Sequence, residues 1–167
     1  MKPIPLFDYI QCPLHKYTFE VKAIKLWVER NCVGYTLNLF AGMTKLAIDE
    51  IRNDSDPNAL ADYHMDAYEF VKKWDGEKFD TILLDPPYSH RKSMEKYGGR
   101  ISSHFNELKN ELSKIINPKG IIITFGYHSV VMGVKRGFIV KKIALFSHGG
   151  AIHDTIATIE HKKYGLF

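Results

Sequence analysis

The sequence is poor in most of the features that assign a protein to a class at sight. It has two cysteines, Cys12 and Cys32, in 167 residues. That is too few for a disulfide framework, so a reducing compartment and a cytoplasmic location are expected. No apolar run approaches the ~18 residues of a membrane-spanning helix, and residues 1–10 lack the charged-then-apolar pattern of a secretory signal. No membrane partner is therefore expected. The eight histidines do not pair with cysteines or acids at metal-ligand spacing, so no metal is expected. There is no Gly-x-Ser-x-Gly elbow and no Cys-His nucleophile signature, which removes the common covalent hydrolases. Repeats, low-complexity stretches and linkers are also missing. The length suits one domain, with an N-terminal loop and helix over 1–34 and a core over 35–167.

What is present is an aromatic-rich chain of mildly basic balance. Aromatics make up 13%, and the net charge is +4 with a pI near 8.9. This balance suits a polyanionic partner without requiring one. Residues 2–16 hold Pro3, Pro5 and Pro13 and read as extended or looped. The apolar spacing predicts a helix over 18–32 and a strand over 35–40, followed by a tight turn at 41–44. A second strand ends near Asn53, and a short one covers 62–65. A helix over 67–74 leads to a strong strand over 79–84. Further on come a helix over 101–116, a strand over 121–125, a short helix over 130–136, and strands over 138–146 and 155–161. Strands alternating with helices imply a parallel α/β sheet, and the last two strands imply one antiparallel edge strand.

The chain is organised around residues 79–88, FDTILLDPPY. The apolar run stops at Asp85, since neither Pro86 nor Pro87 can donate a ladder hydrogen bond. A carboxylate, two stiff carbonyls and the Tyr88 phenol thus stand at the carboxyl end of a buried strand, where open parallel sheets bind ligands. That set suits chemistry on a planar amine. The exocyclic amine of a base is a poor nucleophile, because its lone pair is delocalised into the ring. A carboxylate and a carbonyl accepting its two N–H bonds would stabilise the charge that grows on nitrogen. Tyr88 would stack on the base, which must first leave any duplex.

Asp85-Pro86-Pro87-Tyr88 resembles motif IV of the S-adenosylmethionine-dependent amino-methyltransferases that act on nucleic-acid bases. Asn38-Leu39-Phe40-Ala41-Gly42 resembles their motif I, the cofactor turn. The resemblance runs over most of the chain and implies a Rossmann-like class I methyltransferase fold with S-adenosylmethionine as cofactor. By the same resemblance Asn38 belongs to the cofactor motif, and Phe40, Ala41 and Gly42 lie against the methionine part. Asp54, or Asp56 if the strand runs longer, accepts from the ribose, and Asp66 accepts from the adenine amine. Lys16-Tyr17-Thr18-Phe19 resembles the motif that flanks the methionine end, although a helix cap with one core aromatic reads equally well. Two departures stand out. Met43-Thr44 replaces the usual second glycine, and the dozen residues from Gly42 to Asp54 leave the usual first helix shortened or absent.

Residues 89–100, SHRKSMEKYGGR, follow the motif. Arg91, Lys92, Lys96 and Arg100 are candidates to track phosphates, with Tyr97 to stack; a solvated loop is the plain alternative. The pair His148 and His153, with Gly149 and Gly150 between them, is a second candidate rim. No segment is large enough for a target-recognition domain. Adenine N6 in DNA is the expected target, with structured RNA close behind and cytosine N4 open. A homodimer or a specificity partner is expected to help selectivity. The contrasting reading is a methyltransferase-like binding subunit without catalysis.

Overall fold

A computed structural model describes residues 4–86, 104–150 and 153–163. Its strands are β1 (Leu6–Gln11), β2 (Thr36–Asn38), β3 (Glu50–Arg52), β4 (Phe79–Leu84), β5 (Ile116–Gly126), β6 (Phe138–Ser147) and β7 (Thr155–Lys162). They form one sheet in the order β1-β6-β7-β5-β4-β2-β3. Every pairing is parallel except those of β7, which runs antiparallel to both β5 and β6. The mostly parallel sheet with one reversed strand is therefore as the sequence implied. The reversed strand sits two places in from the edge, because β6 and then β1 lie outside it.

The helices are α1 (Lys22–Asn31), α2 (Ala67–Lys73) and α3 (Phe105–Ile115), with 3-10 turns at Thr18–Glu20 and Val134–Arg136. They cover opposite faces, and the period of two in the strands decides which residue meets which helix. Leu83, Ile121, Ile123 and Phe125 join Ile24, Trp27 and Val28 of α1. Ile82, Leu84 and Ile122 join Phe70 and Val71 of α2 and Leu108, Leu112 and Ile115 of α3. Trp27 meets Phe125 and Phe146 edge-on, with ring centroids 6.2 and 5.6 Å apart, the geometry that aromatic quadrupoles favour.

The segment over 2–16, read as extended or looped, is extended over Leu6–Gln11, which pairs along the whole of its length with β6. Its prolines flank the strand instead of interrupting it. The strand expected over 62–65 reduces to a single bridge between Asn53 and Tyr63. Pro118 and Gly120 do end the helix before them, yet they fall inside β5 as an irregularity between its pairings at Ile116 and Ile121. The missing first helix is borne out: β2 ends at Asn38, β3 begins at Glu50, and no helix lies between.

Candidate active site

The carboxyl ends of β2, β3 and β4 open onto one cleft of about 470 Å³, within the usual range of small-molecule sites. Lys16, Tyr17, Thr18 and Phe19 form one wall; Phe40, Ala41, Gly42, Met43 and Thr44 form the other. Asp54, Asp56, Asn58 and Ala59 line the β3 end, and Asp85 lines the β4 end. Four stretches that are distant in sequence are thus brought together. Lys16 lies over its neighbour's ring, with Nζ 5.2 Å from the Tyr17 centroid. The Thr44 hydroxyl donates to the Glu20 carboxylate, which ties the two walls.

The turn after β2 lacks the helix that would satisfy its backbone, so side chains do the work. The Gly42 N–H donates to Asp54 Oδ2 at 2.8 Å, the Leu46 N–H to Glu50 Oε1 at 3.0 Å, and the Ala47 N–H to Glu29 Oε1 at 2.8 Å. The carbonyls are gathered by one guanidinium. Arg52 donates to Thr44 O at 2.8 Å, Ala41 O at 3.1 Å and Gly42 O at 3.2 Å, and its Nε to Leu60 O at 2.6 Å. Arg52 also meets Glu50 Oε1 at 2.7 Å, with side chains only 5% and 1% exposed. Buried backbone groups need partners, and Arg52 supplies four from one planar fork. Neither Arg52 nor Glu50 stands out by sequence alone. The available signal is two charges at i and i+2 in a strand otherwise placed to be buried.

Gly42 has φ +57°, and a Cβ built there meets nothing within 4 Å. The left-handed backbone suits glycine, and the cleft comes up to it as open space. Asp54 is 3% exposed, and both its oxygens already accept, one from Gly42 and one from the Asp56 N–H at 2.9 Å. It therefore braces the turn, while Asp56 stands exposed beside it.

Two expected site residues lie elsewhere. Asn38 is fully buried and not on the cleft; its amide donates to Glu50 Oε2 at 3.0 Å. Asp66 caps α2, accepting from the N–H groups of Tyr68 and Glu69. It lines a separate small cavity of about 20 Å³ with Phe40, Asn53 and Met65. Asp85 and Pro86 are half-buried past the end of β4. Pro87, Tyr88, Arg91, Lys92, Lys96, Tyr97 and Arg100 lie outside the described residues.

Further along the same edge, His148 is buried where β6 ends. Its Nε2 lies 2.9 Å from Thr155 Oγ1, and its Nδ1 lies 3.3 Å from the Cys12 carbonyl and 3.7 Å from the Cys12 thiol. Burial, and then the charge of Asp154, raise the Cys12 thiol above its ordinary pKa, so this contact does not make an activated thiolate. Tyr127, just past β5, lies against His153 with ring centroids 5.2 Å apart. Among the described residues no group of three or more His, Cys, Asp or Glu side chains is placed to hold a metal, and no helix is long and apolar enough to cross a membrane.

No family model and no curated protein sequence matches the chain. Solved structures do match in fold. The N-methyltransferase NodS from Bradyrhizobium japonicum aligns with a TM-score of 0.59 and 13% identity, over 90% of this chain and 100% of its own. YhhF from Escherichia coli, to which a methyltransferase activity is attributed, aligns with a TM-score of 0.58 and 14% identity, over 98% and 92%. TrmN from Thermus thermophilus aligns with a TM-score of 0.54 and 15% identity over 84% of this chain, which spans about half (47%) of TrmN. A second NodS structure holds S-adenosyl-L-homocysteine, with a TM-score of 0.54 and 12% identity over 84% of each chain. The chain thus shares the Rossmann-like fold of these proteins.

Proposed function

We propose that the protein is an S-adenosylmethionine-dependent methyltransferase acting on the exocyclic amine of a nucleic-acid base, adenine N6 in DNA before others. The observation that carries this reading is the single cleft shared by Lys16–Phe19, Phe40–Gly42, Asp54 and Asp85. The donor set fits the cofactor. Open space over Gly42 leaves room for the methionine part, and the Lys16 ammonium suits its carboxylate. The acids Asp54 and Asp56 suit ribose hydroxyls and cationic groups. Of these two, Asp54 shapes the turn and Asp56 makes the outward contact. Asp66 caps α2 away from this cleft and takes no part in cofactor binding on this reading, and Asn38 acts at one remove by fixing Glu50.

The cofactor, when bound, supplies an activated methyl group, so the protein has mainly to position and polarise. Asp85 and the Pro86 carbonyl accept the two N–H bonds of the target amine and stabilise its growing positive charge. On this reading Tyr88 stacks on the base. Arg91, Lys92, Lys96 and Arg100 hold phosphates, with Tyr97 as a second stacking group.

Structured RNA is the second reading. Every strand and helix among the described residues belongs to the sheet or packs on it, which leaves none to read a duplex. An RNA that presents an unpaired base avoids the cost of flipping. The test is mass spectrometry of nucleosides after the purified protein reacts with methyl-labelled cofactor and either DNA or structured RNA. N6-methyladenine in DNA is the expected product. Label in RNA alone would select the second reading. Cofactor binding without label in either polymer would leave a binding subunit instead of an enzyme.

A further inference from the structure

One edge of the sheet is β1, which among the described residues is hydrogen-bonded only to β6. Exposed sheet edges are normally blunted by lysines, bulges or shortness. This one is not: its six residues pair with β6 without a register shift. Its one charge, Asp8, is already engaged by the Trp27 indole N–H at 2.8 Å and Lys142 Nζ at 3.4 Å. Apolar exposure is concentrated here as well. Ile4 is 90% exposed, Leu6 68%, Phe7 61%, Tyr9 57% and Leu14 62%.

We propose that this edge is the interface of a homodimer, formed by antiparallel pairing of β1 with β1 of a second copy. The backbone directions set the register. The Cys12 N–H donates to Ser147 O, so Asp8, Ile10 and Cys12 turn their backbone groups toward β6. Phe7, Tyr9 and Gln11 then turn theirs to the open edge. Self-pairing must match these outward residues with one another. Placing Tyr9 opposite Tyr9 of the second copy sets Phe7 against Gln11 on each side and closes about six hydrogen bonds. The adjacent register would set Asp8 against Asp8, a like-charge pair, and bring Pro5, which has no N–H, into the ladder. The five exposed apolar side chains offer on the order of 700 Å² per copy, near the ~800 Å² per partner of a standard stable interface. Phe7 and Tyr9 of both copies share one face, opposite the α1 face that holds Asp8 and Ile10.

Such a dimer joins two seven-stranded sheets edge to edge. Because the pairing is antiparallel, the carboxyl edges of the two copies open in opposite directions. Each cleft therefore serves its own target, and the dimer does not address both strands of one palindrome.

The experiment is sedimentation equilibrium on the full chain, which is independent of any methyl transfer. The wild type is expected at twice the 19.2 kDa of the chain. Tyr9→Lys, which sets two ammonium groups face to face at the twofold axis, is expected to raise the dimer dissociation constant on the order of 100-fold, with an unchanged far-ultraviolet circular dichroism spectrum showing that the monomer still folds. Tyr9→Cys in a Cys12→Ser, Cys32→Ala background gives a readout that needs no loss of function. Opposed residues of a hydrogen-bonded pair have Cα atoms ~5.5 Å apart, within disulfide reach, so oxidation should yield a covalent dimer. A monomeric wild type at concentrations on the order of 100 µM, where a standard-size interface is fully formed, would overturn the proposal. So would a dimer that survives Tyr9→Lys and fails to cross-link when Tyr9→Cys is oxidised.

Discussion

Single residues carry most of the proposed chemistry. Asp85 is the carboxylate just past the end of β4, lining the cleft, and on the proposed function it faces the target amine. Asp85→Ala is expected to reduce methyl transfer by about 100-fold or more, the scale of losing one preorganised electrostatic group. The cofactor dissociation constant, measured by calorimetry, should change little. An equal loss of cofactor affinity would move Asp85 to the cofactor side of the site. Cys32 supplies a different kind of test. Burial first, then the charges of Glu50 and Glu29, push its thiol up to about 12, against a hydrogen bond from Thr36 that lowers it. The unfolded thiol ionises near 9.0, so from there to about 12 the unfolded chain loses a proton that the folded chain keeps. Stability is unaffected by this group at pH values below that unfolded pKa and declines as pH rises through the window. Cys32→Ala should flatten the alkaline part of a plot of melting temperature against pH, and an unchanged slope would assign the loss to other groups.

At the scale of elements, the turn between β2 and β3 is the unusual part. A strand followed by a turn and then Asp54 is legible in the sequence, as is a shortened or absent first helix, because the spacing is near the minimum for a crossover. What replaces the helix is not legible, since the partners of Arg52 span positions 41–60 and only the folded chain brings them together. Arg52→Met removes one half of a buried ion pair and leaves several carbonyls without donors. Urea melts should show about 3–5 kcal/mol of destabilisation. The double variant Arg52→Met, Glu50→Gln should cost less than the sum of the singles, because they share one network. Additivity would mean that the pair is not coupled. β1 shows the opposite limit of sequence reading. Three prolines within a short stretch leave extended and looped readings open, and six proline-free residues were enough for a strand once β6 offered an edge.

For the molecule as a whole, the cleft joins the N-terminal wall to the sheet, so a ligand there should stabilise the entire fold. With S-adenosyl-L-homocysteine at about 100 times its dissociation constant, linkage gives about 2.7 kcal/mol. For a chain of this length that is a rise of roughly 5–10 °C in melting temperature. Gly42→Val should abolish most of the shift, because its side chain would project into the open space of the cleft from a strained backbone. A full shift in that variant would place the ligand elsewhere. The amino-acid sequence by itself determined the alternation of strands and helices, the buried strand Phe79–Leu84 and the acid that ends it. These follow from local periodicity and from proline's missing N–H, which act within a few residues. Tertiary structure decided which of the acids meet. It brought Asp54, Asp56 and Asp85 to one cleft and turned Asp54 inward onto Gly42. It also set Asp66 apart in its own small cavity and left β1 with an open edge. Those outcomes depend on strand order and on which backbone groups lack partners, and both are properties of the assembled sheet.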